Sequence, residues 1–176
     1  MIGRSIALPR RVPDAAAVVA AVLAFASAAC TAFWLLGGTA GLDTVGGEVE
    51  RLARERSPAA IAGLAVTLVL KLLAGALAVL LVALGDGGPP PHWVVRLALV
   101  GGIGLALYGG LLVAVGALAL IGVVGPSDPG DQYALRWHVF FWDLWFLVWG
   151  AALALGAKRA RSAFGAYQRA PSGADR

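Results

Sequence analysis

The stretch "LRWHVFFWDLWFLVWGAALALGA", Leu135 to Ala157, decides the fold. As a helix rising about 1.5 Å per residue it is long enough to cross about 30 Å of hydrocarbon. Yet its first half carries Arg136, His138 and Asp143. A charge at mid-bilayer costs about 2.5 to 3.5 kcal/mol on insertion scales, so it faces protein or water and normally has a partner. Asp143 is therefore expected to point into a helix bundle rather than into lipid.

Working outward, three more apolar runs of membrane length precede it, at about 15–37, 59–85 and 93–124, with the fourth at 134–157. Single segments in lipid satisfy their backbone groups only as helices. The expected fold is all-α: a polytopic four-transmembrane-helix bundle forming one domain over 15–157. With 60% hydrophobic and 14% charged residues, the composition lies outside that of ordinary soluble domains. The net charge of +4 does not point to nucleic acid. Its basic residues sit in short tails beside apolar runs, which the positive-inside rule explains more simply.

The first run has a rival reading. "MIGRSIALPRR" resembles the charged start of a signal peptide and "FASAAC" a cleavage or lipoprotein site. Ser27 stands where a lipoprotein site wants a larger aliphatic residue, and the run continues through "TAFWLLG". A retained helix is the better reading. Cys30, the only cysteine, cannot form an intramolecular disulfide and reads as a small packed side chain.

Orientation follows from basic residues near the span ends. The tail 1–14 holds Arg4, Arg10 and Arg11, and the tail 158–176 holds Lys158, Arg159, Arg161, Arg169 and Arg176. The first connection balances Arg51, Arg54 and Arg56 against Asp43, Glu48, Glu50 and Glu55, and "PSDPGDQY" has no basic residue. Both termini are therefore expected to be cytoplasmic in a bacterial inner (plasma) membrane. The segment 43–58, with Val45, Val49, Leu52 and Arg56 at helical spacing, reads as an amphipathic helix on the outer surface or as a solvated linker.

Inside the spans, Lys71 and Asp143 are the two deep charges. At about 1.5 Å per residue they lie roughly 18 and 13 Å below the outer ends of their helices. Lys71 leans back toward the level of Asp143, so a salt bridge is expected. Such a pair can act as polar glue that fixes helix register, its commoner use, or as a ligand or proton site. Tyr108 and Thr67 fall in the same outer layer as Asp143, together with Thr31 and Trp34. Arg136 is shallow enough to snorkel outward as an interface anchor. His138 is equally shallow, and a lone histidine without a second ligand makes a poor metal site. No metal and no cofactor are expected. On an ideal wheel His138, Trp142, Trp145 and Trp149 form a stripe that would face lipid if Asp143 faces inward. Gly102, Ala106, Gly110 and Ala114 recur every four residues as a helix-packing seam.

Polar residues concentrate in the outer half, while the inner half is almost bare. A solute needs partners along its whole route, so a monomeric conduit is disfavoured. What remains is an outward polar pocket suited to membrane lipids, another membrane protein or a second copy.

"FWLLGGTAGL", Phe33 to Leu42, and "LRWHVFFWDLWFLVWG", Leu135 to Gly150, resemble a bacterial family of small four-helix membrane proteins known as domain of unknown function 3995. The resemblance covers about Ala15 to Ala157. It implies a polytopic helical fold and supplies no activity, cofactor or site residues. The functional expectation is a non-enzymatic helix bundle that interacts with lipid or a partner. One alternative is a membrane-embedded enzyme or amphipathic-ligand receptor using Asp143, His138 and Tyr108, although residues five apart lie on different faces of an α-helix. Another is a proton-coupled small-solute exporter acting as an oligomer.

Overall fold

The protein is described by a computed structural model covering residues 14–85, 90–124 and 132–169. The basic tail before Asp14, most of "DGGPPPH" and of "PSDPGDQY", and the chain beyond Arg169 lie outside the described residues. The elements are α1 (Ala15–Leu35), a 3-10 turn (Leu42–Thr44), α2 (Gly47–Arg54), α3 (Pro58–Gly85), α4 (His92–Leu120), α5 (Gln132–Trp137), a π turn (His138–Trp142) and α6 (Asp143–Arg169). No strand occurs among the described residues. Among the described residues four helices are long and apolar enough to cross a membrane, the fourth being the continuous run through α5, the π turn and α6.

Local chemistry sets the helix ends. The Asp14 carboxylate accepts from the N–H groups of Ala16 and Ala17 at 2.9 and 3.2 Å, capping α1. At its other end Gly37 takes φ +103°, donating to the Trp34 carbonyl while Gly38 donates to that of Phe33. This paired closure needs a left-handed residue, which glycine supplies without a Cβ penalty. Ser57 caps α3 through Oγ to the Ala60 N–H at 3.2 Å, with Pro58 at the first helical position.

The helices alternate in direction. Partner residues run in opposite senses along α1 and α3, α1 and α6, and α4 and α6. Their most extensive contacts are α4 with α6, then α1 with α3, then α1 with α6, whereas α3 and α4 touch little. α6 is therefore the central helix, which explains why its span is the most buried of the four. It approaches α4 backbone to backbone. Gly102 leaves no room for a Cβ, which would lie 2.6 Å from the Ala154 nitrogen, and Gly109 and Gly150 are equally tight against Asp143, Leu147 and Ala106. Helices in hydrocarbon gain nothing by hiding apolar surface from lipid, so such close backbone contact is what holds them together.

The seam therefore differs from the expected every-fourth pattern. Gly102 and Ala106 lie on it, but Gly109 and Gly116 replace Gly110 and Ala114. A Cβ added at Gly110 would meet only the Leu147 side chain at an ordinary 3.6 Å, and Ala114 is exposed.

On its other side α6 meets a face of small residues, Ala17, Ala20 and Ala24, all buried. They make room for Trp149, which is 2% exposed. The tryptophan stripe thus faces α1 and the first connection rather than lipid, because α6 is buried on two sides. Arg159 and Asp14, 3.3 Å apart, place the start of α1 beside the latter part of α6. That end is the tail end of the bundle, and the end carrying α2 is the connection end.

The first connection is less helical than 43–58 suggests. Val45 precedes α2, and Gly46 and Gly47 both have positive φ. Leu42 and Thr44 supply its buried side chains, while Val49 is exposed. On the wet face Arg51 bonds Glu48 and Glu55, and Arg54 bonds Glu50 at 2.7 Å. The Arg51 guanidinium holds the Glu48 carboxyl below the usual carboxylate range.

Candidate functional site

Two polar clusters occupy the connection half of the bundle. The first is built by the π turn. In an α-helix, residues five apart are rotated well away from one another, but here the Asp143 N–H bonds the His138 carbonyl, five residues back. The widened turn stacks the two side chains, and His138 Nδ1 lies 3.4 Å from Asp143 Oδ1. His138 Nε2 lies 3.0 Å from the Val45 carbonyl oxygen. A carbonyl only accepts, so Nε2 carries a proton and His138 bridges the buried carboxyl group to the first connection. One turn further, Trp142 Nε1 donates to Thr44 Oγ1 at 3.0 Å, while Thr44 Oγ1 donates to the Gly41 carbonyl at 2.6 Å. Trp34 packs edge-on against Trp142 with ring centroids 5.5 Å apart. The connection is thus docked on the π turn by two side-chain hydrogen bonds. Asp143 is buried, 5% exposed, and the close approach of Gly109 to its backbone brings α4 against the same turn.

The second cluster surrounds Lys71. Its Nζ donates to Thr31 Oγ1 at 2.7 Å and to the Ser27 carbonyl at 3.4 Å. Thr31 in turn donates its hydroxyl proton to the Ser27 carbonyl at 3.1 Å, leaving its lone pairs for the amine. The Phe146 ring of α6 lies 5.8 Å from Nζ.

The expected salt bridge between Lys71 and Asp143 is therefore not formed. α3 docks on α1, so Lys71 meets Thr31 and Ser27, while the π turn gives Asp143 a partner on its own helix. The expectation that His138 and Asp143 stand on different faces fails for the same reason. Tyr108 does not bond Asp143 either. It packs edge-on against Phe146 at 5.9 Å and is 54% exposed. Thr67 and Arg136 are both exposed.

Ser27, Thr44 and the Val45 carbonyl were not expected in these clusters. Ser27 and Thr31 do carry a readable signal, being two small hydroxyl residues one turn apart on the face that α3 covers. No group of three or more His, Cys, Asp or Glu side chains that could hold a metal occurs among the described residues.

A bundle of four apolar antiparallel helices with polar side chains clustered in one half defines a multi-pass helical membrane-type protein. More particularly, the family model described as Protein of unknown function (DUF3995) matches residues 24–153, and the chain belongs to that family. No curated protein and no solved structure matches it.

Proposed function

We propose that this chain is a non-enzymatic, multi-pass protein of the bacterial inner membrane, with both tails cytoplasmic, that holds a lipid or another membrane protein against the outer half of its bundle. On this reading the connection end faces outward and the tail end, with Lys158, Arg159 and Arg161, faces the cytoplasm. The observation that carries the proposal is the uneven closure of the polar half. The cluster at Asp143 is sealed by the connection, whereas no residue of α3 between Pro58 and Ala74 is buried, so the Lys71 side stays open laterally. A sealed polar cluster beside an open one suits a scaffold with a lateral docking place better than a conduit, which needs partners along its whole length.

The test is native mass spectrometry of the full chain released from lipid nanodiscs, alongside crosslinking in membranes. A retained lipid or a specific crosslinked partner is expected. Release of bare protein with no crosslinked neighbour would overturn the reading.

A membrane-embedded enzyme or receptor is the second reading, favoured by the 3.4 Å approach of His138 to Asp143. A carboxyl and an imidazole share a proton at about 2.6 to 3.2 Å, slightly closer than these two stand, which is the requirement for acid–base work. The burial of Asp143 and the use of Nε2 on Val45 leave little access for a substrate, which is why the binding role is preferred.

A further inference from the structure

We infer that the lateral opening between α3 and α4 beside Lys71 binds the acidic group of a membrane-soluble amphiphile, a carboxylate or phosphate on an alkyl chain. The inference rests on the lipid-holding reading and names the ligand's chemistry.

Lys71 is a half-buried cation in the middle of an apolar helix, and no carboxylate lies within ion-pair distance of it among the described residues. An ammonium has three donors. Thr31 Oγ1 and the Ser27 carbonyl take two of them, and both acceptors are uncharged. Phe146 offers its ring at 5.8 Å, a contact that orients a cation without neutralising it. A charge at this depth is normally paired, and the carboxylate best placed to pair it, Asp143, is engaged by His138 instead. The protein therefore holds an amine with no counter-charge among the described residues.

The shape agrees with that demand. Ala78 and Leu81 of α3 and Val94, Val95 and Ala98 of α4 all belong to one buried cluster at the tail end, and α3 and α4 otherwise touch little. Toward the connection end α4 turns its buried glycines to α6, and α3 buries nothing before Gly75. The two helices therefore part where Lys71 stands. Lys71 and Tyr108 approach the same Phe146 ring from α3 and α4, so a cationic donor and a phenol flank one opening with an aromatic floor. Exposed apolar residues of both helices continue from it and can line an alkyl chain. An anionic headgroup that enters from the bilayer would meet both Lys71 and Tyr108, without its chain leaving the hydrocarbon.

The experiment uses the full chain in a nonionic detergent and follows its thermal unfolding during titration with four probes: oleate, oleyl alcohol, lysophosphatidylglycerol and lysophosphatidylcholine. At least one acidic probe is expected to raise the unfolding midpoint saturably, with its neutral or zwitterionic counterpart raising it less. Lys71→Met should weaken that probe at least about tenfold, and Lys71→Arg should retain it. Removal of an uncompensated charge should leave Lys71→Met folded, and Lys71→Gln serves in its place if it does not. Stabilisation by oleate alone would identify a fatty carboxylate, by the lysophosphatidylglycerol alone a phospholipid phosphate, and by both the shared anion chemistry. Equal effects of the acidic and neutral probes, or undiminished acidic binding by the Lys71→Met and Lys71→Gln proteins, would overturn the inference. If those proteins still release lipid in native mass spectrometry, lipid holding survives while its assignment to Lys71 falls.

Discussion

His138 Nδ1 stands 3.4 Å from Asp143 Oδ1, five residues along the same helix, because the backbone between them makes a π turn. The intramembrane carboxyl group is thus served from within its own helix, and Lys71 is left to Thr31 and Ser27 on α1. The polar layer that reads in the sequence as one pair is two separate clusters.

Separate clusters should be energetically separate. In double-mutant cycles read by unfolding in mixed micelles, His138→Leu with Asp143→Leu should show a coupling of about 0.5 to 3 kcal/mol. Lys71→Met with Asp143→Leu should be additive within about 0.5 kcal/mol. Strong coupling between Lys71 and Asp143 would mean that the ion pair forms after all.

The π turn behaves as a single inserted residue, which gives it an unusual mutational signature. Deleting Phe140, whose side chain is 69% exposed, would leave His138 and Asp143 four apart in a regular α-helix, still on one side, with the register of α6 unchanged. Deleting Val148 instead turns everything beyond it by about 100°, carrying Gly150 and Leu153 off α4 and α1. The Phe140 deletion should therefore yield folded protein by size-exclusion chromatography, and the Val148 deletion should not. Equal loss in both would show that the wide turn is required for folding.

What the sequence discloses about this molecule follows from the same physics. Span lengths are legible because hydrocarbon sets a minimum run, and Asp143 is legible as buried because its charge is costly in lipid. Pairing between helices is not. α1, α3 and α4 are apolar almost all round, so no polar face marks which neighbour each one meets. Depth brings Lys71 and Asp143 level but cannot tell α1 from α6. The π turn was invisible because wheel arithmetic assumes 3.6 residues per turn throughout. It brings His138 onto the side of Asp143, whereas the tryptophan stripe is buried because α6 is covered on two sides, a placement that wheel positions alone do not reveal.

The corrected packing seam is open to a test with built-in controls. A Cβ at Gly109 would meet the backbone of Leu147 and Asp143, which cannot move aside, whereas one at Gly110 meets only the Leu147 methyl at 3.6 Å and one at Gly104 meets nothing. Gly109→Ala should destabilise by about 1 to 3 kcal/mol as an overpacked contact. Gly110→Ala and Gly104→Ala should be neutral or slightly stabilising, since alanine is the better helix former. A larger loss at Gly110 than at Gly109 would restore the every-fourth seam.

Arg56 offers the last prediction. It follows α2 with φ +51°, and its N–H and that of Ser57 close the helix onto the Ala53 and Leu52 carbonyls. Glycine normally fills such a position, and a side chain there costs about 1 kcal/mol. The arginine uses that costly position to reach across the connection, where Nη2 donates to the Leu35 carbonyl at 3.2 Å, at the end of α1. A bond of this kind contributes about 0.5 to 1.5 kcal/mol net, enough to offset the strain. Arg56→Gly loses the bond and the strain together and should change stability little. Arg56→Ala loses the bond but keeps the strain, so it should fall below Arg56→Gly by about 1 kcal/mol in thermal unfolding. Equal midpoints for the two variants would mean that the backbone at position 56 is not held in the left-handed region, and the tie between α2 and the end of α1 would have to be sought elsewhere.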